Sequence, residues 1–341
     1  MNIGEEVRKN PWPLHDCLTA SLPHLVGIAI GCLIWASAAA QSYPSRPIRF
    51  VVPFPPGTTT DVVARLVALK SAERLGQQVV VDNRSGASGT IGVETVARAA
   101  PDGYTWGLGT TTTHALAHIL NPKLGYDPVR DFAPVALLGE SPYFLTTNPA
   151  FPASNVREFA AHARANPGKV SYASVGNFSM GHLAGELLKK AGGFEMVHVP
   201  YKGSNLALID LLAGRIQLNI STIAASLPHV RAGKLRALAV ASPQRVATLR
   251  DTPTVAESGF PGYEAVLWVG AFVPARTPGA VLARIQREVD AVLQSAEMRD
   301  ALAEQAFEPG KLAPAAFAAR IRDDTTRWRK VISDAGLKQD Q

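Results

Sequence analysis

The stretch FVVPFPPGTTTDVVARL, residues 50–66, joins a short apolar run to a helical pattern through an uncharged turn. The run 48–54 is typical of a buried strand, and the apolar residues after the turn recur with helical spacing until Gly76, a helix stop. We expect Thr60 or Asp61 to cap this helix, because both side chains accept hydrogen bonds from the N–H groups of a first turn. The stretch therefore predicts a strand–turn–helix unit.

The same pattern continues along the chain and then restarts near residue 170. Further strands are predicted at 78–83, 103–110, 170–174, 197–201, 217–222 and 235–242, with amphipathic segments between them. Alternation of this kind indicates mostly parallel sheets flanked by helices, the α/β class. Two units of similar length, 48–83 and 170–201, indicate two lobes. The region 278–334 is predicted to be mostly helical.

Two stretches rich in proline and glycine are predicted to be irregular and to cross between the lobes. They cover 121–154 and 252–279, with Trp268 in a crossing strand. Lobe one is then expected to comprise 42–142 together with 267–341, and lobe two 143–266.

Residues 1–40 are typical of a signal peptide. Basic residues precede an apolar run, 25–40, which ends in three alanines and is too short to span a bilayer. Both cysteines, Cys17 and Cys32, lie in this leader. We therefore expect export to the periplasm and a mature chain that is held together by packing rather than by disulfides.

The charge pattern argues against a nucleic-acid partner. The formal net charge is +6, but the basic residues are scattered rather than clustered among aromatic residues. A nucleic-acid interface needs such clusters, so we expect no nucleic-acid partner.

The turn after the first strand has the properties of an anion site. Ligands of open α/β sheets bind beyond the carboxyl ends of the strands, and helix N-termini attract anions. Pro55 stiffens the approach, Gly57 permits close contact, and Thr58 and Thr59 add hydroxyl donors. No lysine or arginine occurs between Phe50 and Ala64, which favours a carboxylate over a phosphate. The alternative is a well-capped helix without a ligand.

A second loop, SVGNFSMGHLAGE at 174–186, has the same character. It offers polar side chains at Ser174, Asn177 and Ser179 and contains no basic residue. The G-x-S-x-G spacing of a nucleophile elbow is not met around Ser179. We therefore expect this serine to cap a helix and to contact a ligand.

The stretch TTTTHALAH, 110–118, ends the third strand and places threonines, including Thr112, at the same sheet edge. His114 and His118 have a spacing that suits zinc, but no neighbouring glutamate or cysteine completes a site. We expect no metal and no cofactor. The glycine-rich SGASGTIG, 85–92, is predicted to be a structural turn that lets a helix pack tightly, and Trp106, Trp268 and Trp328 are predicted to lie in the core or at an interface.

The chain as a whole resembles the substrate-binding receptors of tripartite tricarboxylate transporters, the Bug-type periplasmic proteins. The resemblance is carried by ordered motifs over 43–278, including YPSRPIRFVVPFPPGTTTDVVAR, NPGKVSYASVGNFSMGHLAGELL, VHVPYKGS and PTVAESGFPGYEAVLWVGAFVPARTP. It implies a two-lobed, Venus-flytrap fold with one ligand site between the lobes. It also implies that two loops, here 53–61 and 174–182, bind a ligand carboxylate, partly through ordered waters.

Three positions depart from the family pattern. Thr58 stands where a second glycine is common, and Asn177 and Phe178 replace smaller residues, which is expected to narrow the pocket. The candidate ligand-binding residues are Phe54, Pro55, Gly57, Thr58, Thr59, Asp61, Thr112, Ser174, Gly176, Asn177, Phe178, Ser179, His182 and Thr222.

Three functions are compatible with these residues. The first is a monomeric receptor, not an enzyme, that delivers a small carboxylate to membrane transporter subunits. The second is a receptor of the same design that presents its ligand to a membrane signalling protein. The third is an exported hydrolase that uses Ser179 with His182 as base. The resemblance favours the first.

Overall fold

The first strand–turn–helix unit forms as the sequence predicts. Strand β1, Ile48–Val52, is buried along nearly its whole length, and helix α1, Thr59–Leu75, follows the turn. Gly76 ends α1 in the left-handed conformation, with φ of 68°. The computed structural model describes residues 43–337, so the predicted signal peptide, 1–40, lies outside the described residues.

The remaining elements alternate along the chain. The strands are β2 Val79–Asn83, β3 Thr105–Thr110, β4 Phe132–Thr147, β5 Ser171–Ser174, β6 Val197–Pro200, β7 Leu218–Thr222, β8 Arg236–Val240, β9 Val266–Pro274 and β10 Glu308–Pro309. The helices are α2 Thr90–Ala97, α3 Ala117–Leu120, α4 Val156–Ala165, α5 Met180–Gly192, α6 Ser204–Leu212, α7 Ile223–Arg231, α8 Gly279–Leu293, α9 Ala296–Glu304 and α10 Pro314–Asp334. A π-helical segment, Thr111–Leu116, connects β3 to α3, and 3₁₀ turns lie at Ala87–Gly89 and Ala247–Leu249.

One strand connects the two halves of the sheet. The strand order is β2-β1-β3-β9-β4-β7-β5-β6, with β8 and β10 also paired to β4. Residues 132–142 of β4 pair with β9, whereas residues from 143 onward pair with β7 and β8. The β2-β1-β3 and β6-β5-β7 groups are each parallel, as predicted. Division into lobes at 142 and 266 remains a prediction.

The prediction of irregular structure in 121–154 was wrong, because this stretch contains the longest described strand, β4. Proline cannot donate to a strand ladder, and glycine weakens a strand, so both argue against a strand in the sequence. In the structure, Pro134 and Gly139 lie where the register between β4 and β9 shifts, and these bulges accommodate them. Gly139 also lets β10 approach, since a Cβ there would lie 3.0 Å from the Glu308 carbonyl.

The core lies on both sides of this sheet. Trp106, Trp268 and Trp328 are all buried, which confirms their predicted place in the core. Phe317 of α10 packs over β9, where Gly270 leaves room for its ring. A second cluster surrounds Phe144 of β4 where that strand pairs with β7 and β8.

The glycine-rich turn before α2 also behaves as predicted. A Cβ on Gly92 would lie 2.6 Å from the Arg84 carbonyl and 2.8 Å from Pro53, so only glycine lets α2 pack this closely. Within residues 43–337, no helix is both long and apolar enough to cross a membrane.

Candidate functional site

The strand register places the carboxyl ends of two groups of strands on either side of the same stretch of β4. Thr110, the end of β3, lies level with Gly139 through β9. Ala173, near the end of β5, lies level with Thr146 through β7. Because β3 runs parallel to β4 and β5 runs antiparallel to it, the two ends point toward each other. Seven residues of β4 separate the two ends, a distance of about 23 Å at ~3.3 Å per residue. The loops that follow β1, β3, β5 and β7 begin on either side of this stretch of β4.

Thr58, rather than Thr60 or Asp61, caps α1. Its hydroxyl donates to the Pro55 carbonyl at 2.9 Å and accepts the Asp61 N–H at 3.4 Å. The helix therefore starts earlier than the sequence indicated, and Thr60 and Asp61 lie in its first turn, where both are buried. All three residues are acceptable caps by type, so only the path of the turn decides between them.

Asp61 organises the first loop instead of leaving its carboxylate free. Its oxygens accept hydrogen bonds from the Gly57 N–H at 2.9 Å, from Asn83 at 2.8 Å and from Arg65 at 2.9 Å. Burial opposes its ionisation, but these hydrogen bonds and the Arg65 charge outweigh burial and lower the pKa of Asp61. Asn83 also donates to the carbonyl of Phe54. Sequence analysis missed Arg65 and Asn83, since each lies outside the turn itself.

Ser179 repeats in the second loop what Thr58 does in the first. Its hydroxyl donates to the Gly176 carbonyl at 2.7 Å and accepts the His182 N–H at 3.3 Å, which confirms the predicted cap of α5. Ser174 is buried, and its hydroxyl contacts the Gly176 backbone. Phe178 has φ of 59°, a strained conformation for a side chain of this size.

Behind the second loop lies a stacked pair of histidines. The rings of His182 and His198 are 3.8 Å apart and nearly parallel. Nδ1 of His182 accepts the Phe178 N–H at 2.9 Å, and Nε2 of His198 lies 2.7 Å from the Ser174 hydroxyl. Burial lowers the pKa of both rings, that of His198 to about 4 with a further contribution from His182. The pair supports the loop in its neutral form, a role for His198 that the sequence did not indicate.

The polar side chains among the predicted site residues thus fall into two groups. The side chains of Thr58, Asp61, Ser174, Ser179 and His182 are already hydrogen-bonded within the protein. By contrast, no hydrogen bond within residues 43–337 engages the side chains of Thr59, Thr112, Asn177 and Thr222, all of which are at least partly exposed.

Each loop also presents backbone donors. The N–H groups of Thr59 and Thr60 in α1, and of Met180 and Gly181 in α5, have no partner among the described residues. The first N–H groups of a helix carry partial positive charge. Two such helix starts without lysine or arginine in their turns suit an anion of low charge, such as a carboxylate.

The two histidines with zinc-like spacing each lie against other partners in the structure. His114 is fully buried, stacks on Phe272 at 4.0 Å and has its pKa lowered by burial to about 3. His118 lies 3.5 Å from Arg329 instead. Across residues 43–337, no cluster of three or more His, Cys, Asp or Glu side chains has a metal-binding arrangement.

Several known proteins are similar to this chain over most of its length. BugT of Bordetella pertussis is 37% identical over 316 residues, 92% of this chain and 97% of BugT. A solved R. palustris protein with adipate is 38% identical with a TM-score of 0.80, covering 87% of this chain and 99% of that one. MatC from Rhodopseudomonas palustris, solved with bound malate, is 34% identical with a TM-score of 0.76, covering 85% and 100%.

Periplasmic binding proteins are among the similar solved structures, and their two-lobed α/β fold confirms the predicted fold class. The model of the tripartite tricarboxylate transporter family receptor matches residues 63–337. The chain therefore belongs to the tripartite tricarboxylate transporter receptor family, whose members are ligand-binding receptors rather than enzymes.

Proposed function

We propose that this receptor binds a small carboxylate in the periplasm and delivers it to the membrane subunits of a tripartite tricarboxylate-type transporter. The observation that carries the proposal is the pair of helix starts, one in each half of the sheet, with no cation in either turn. Four of their N–H groups have no partner in the part of the chain that the structure describes. Adipate and malate, the acids bound in two related structures, are of the same chemical class.

Free energies indicate how the acid is held. Attraction to a helix N-terminus contributes about 0.3–2 kcal/mol, so two helices supply at most ~4 kcal/mol. Micromolar affinity requires about 8 kcal/mol. The unengaged side chains of Thr59, Thr112, Asn177 and Thr222 provide further donors for the remainder. A ligand of this kind is bound by residues of both lobes. Binding is then accompanied by a hinge motion that closes the lobes, with the hinge at the segments near 142 and 266.

Isothermal titration calorimetry tests the binding part of the proposal. Adipate, malate, citrate and a monocarboxylate are titrated against the exported protein, with inorganic phosphate, a sugar and an amine as other classes. We expect heat from at least one carboxylate and none from phosphate. Binding of the sugar or the amine with no response to any acid would contradict the proposal.

Delivery requires a separate experiment. The loaded receptor is used to capture detergent-solubilised membrane proteins, with transporter subunits as the expected partner. Capture of a membrane signalling protein instead would support the sensor alternative while leaving carboxylate binding intact.

A further inference from the structure

Tyr143 lies where β4 passes from one half of the sheet to the other. Pro142 is the last residue of β4 that pairs with β9, and Tyr143 is the first that pairs with β7, opposite Thr222. The Tyr143 N–H donates to the Ala265 carbonyl at 2.9 Å, and its carbonyl accepts the Ala241 N–H at 2.8 Å. These two backbone hydrogen bonds, to segments on either side, therefore fix the backbone of this tyrosine.

The ring of Tyr143 packs against the start of α5. A Cβ built on Gly181, the second residue of α5, would lie 3.5 Å from Cε1 of Tyr143. The hydroxyl is attached to the neighbouring ring carbon, so it lies beside the first turn of α5. That turn carries the N–H groups of Met180 and Gly181, for which the described residues offer no partner.

Among residues 43–337, the Tyr143 hydroxyl has no hydrogen-bond partner, unlike the hydroxyls of the other buried tyrosines. Only 6% of Tyr143 is exposed, and no hydrogen bond within residues 43–337 engages its hydroxyl. The other buried tyrosines each donate at 2.7–2.8 Å: Tyr126 to the Thr113 carbonyl, Tyr172 to Glu186 and Tyr263 to the Ala184 carbonyl. The Tyr143 hydroxyl is not among the fully enclosed polar atoms that lack a partner, so it keeps some access to solvent, and a ligand that enters beside the start of α5 can accept its proton in place of water.

The hydrogen-bonding groups at this position determine which chemical group of a ligand can bind there. Burial raises the pKa of Tyr143, so its hydroxyl stays protonated at neutral pH and remains available as a donor. The adjacent helix N–H groups are also donors. A carboxylate accepts hydrogen bonds from donors of both kinds, whereas an ammonium group accepts from neither.

We propose that the Tyr143 hydroxyl donates a hydrogen bond to the carboxylate of the bound ligand at the start of α5. The proposal rests on the proposed function and adds a residue outside both predicted loops to the binding site. The crossing strand itself then contacts the ligand, so occupancy restrains the segment at which the two halves of the sheet meet.

The test is the substitution Tyr143→Phe, which removes the hydroxyl and keeps the ring against Gly181. Calorimetric titration with adipate, malate and citrate is expected to show a Kd at least 10-fold higher than that of the wild type for each acid that binds, as for loss of a hydrogen bond to a charged group. In ligand-free buffer the melting temperature is expected to be unchanged or higher, since no protein partner loses a bond. The control is Tyr104→Phe. Tyr104 comes just before the first residue of β3, whereas the candidate site lies beyond the last residue of that strand, so this variant is expected to keep wild-type affinity.

Three other outcomes would contradict this inference. Wild-type affinity in the Tyr143→Phe variant overturns this inference and leaves the proposed function standing. A clear loss of stability in ligand-free buffer also overturns it, because the hydroxyl then has a structural partner. If the wild type binds no carboxylate of the panel used to test the proposed function, the monocarboxylate included, that function fails and this inference fails with it.

Discussion

At the scale of single residues, the hydroxyl groups in the two loops serve mainly to hold the loops in shape. Thr58 and Ser179 each donate to a carbonyl three residues earlier and accept the N–H three residues later. Their hydroxyl protons are therefore already used in hydrogen bonds within the loops. On the proposed function, the ligand contacts backbone N–H groups instead. Asp61 contributes in the same way, because its charge is matched by Arg65 rather than left to repel an anion.

The stacked histidines make a pH-dependent stability prediction. Nδ1 of His182 accepts a backbone N–H, so protonation there breaks the bond to Phe178. An unfolded histidine titrates near 6.5, whereas burial holds the pKa of His182 below that value and the pKa of His198 at about 4. Between pH ~6.5 and about 4 the unfolded chain binds more protons than the folded protein, so the free energy of unfolding falls as pH falls through this window.

Urea unfolding at several pH values checks this for the wild type and for His198→Gln. We expect a shallower fall in the variant, because it has one fewer buried imidazole. His229→Gln, on α7, is the matched control and should follow the wild type. Parallel curves for His198→Gln and the wild type would show that the pair does not sense pH.

At the scale of elements, the close packing of α5 on β7 positions the second helix start. A Cβ on Gly181 would lie 2.6 Å from the Ile220 carbonyl, which is backbone and cannot rotate away. Gly181→Ala should therefore push α5 off the sheet and lower the free energy of unfolding by about 1–3 kcal/mol, as overpacking does. Denaturant unfolding measures the loss.

Gly279→Ala is a suitable control for this substitution. Gly279 also begins a helix, α8, but no atom of residues 43–337 lies within 4 Å of a Cβ built there. Alanine favours the helix by up to ~1 kcal/mol, so this variant should be as stable as the wild type or more so. Equal stability of the Gly181 and Gly279 variants would be incompatible with the packing argument.

At the scale of the whole molecule, β4 links the folding of both sheet halves. Since β4 pairs with β9 over its first part and with β7 and β8 over its last, unfolding of either half removes part of the strand that the other half pairs with. We expect one cooperative transition in urea. Within residues 43–337 the tryptophans are Trp106, Trp268 and Trp328, which lie in β3, β9 and α10.

Two optical signals distinguish the possibilities. Tryptophan fluorescence reports the half that contains β3 and β9, whereas far-UV circular dichroism reports every helix and strand. Coincident midpoints are expected. A circular-dichroism transition with no fluorescence counterpart would mean that the β5–β7 half unfolds independently.

The sequence by itself determined the strand–turn–helix units, the Gly76 stop, the Ser179 cap and the uncharged character of both loops. These features depend on local periodicity, on residue type and on chain neighbours, all of which are visible in the printed letters. The resemblance to the receptor family added the two-lobed fold.

Only the tertiary structure decided the rest. The path of the turn selected Thr58 as the cap over Thr60 and Asp61. Asn83, on a neighbouring strand, directed the carboxylate of Asp61 inward, and His198 came to lie on His182 from another strand. β4 formed in spite of Pro134, and the register alone brought Tyr143 to the start of α5. Each of these contacts joins residues whose local sequences carry no information about one another, so their proximity is set by packing and strand pairing.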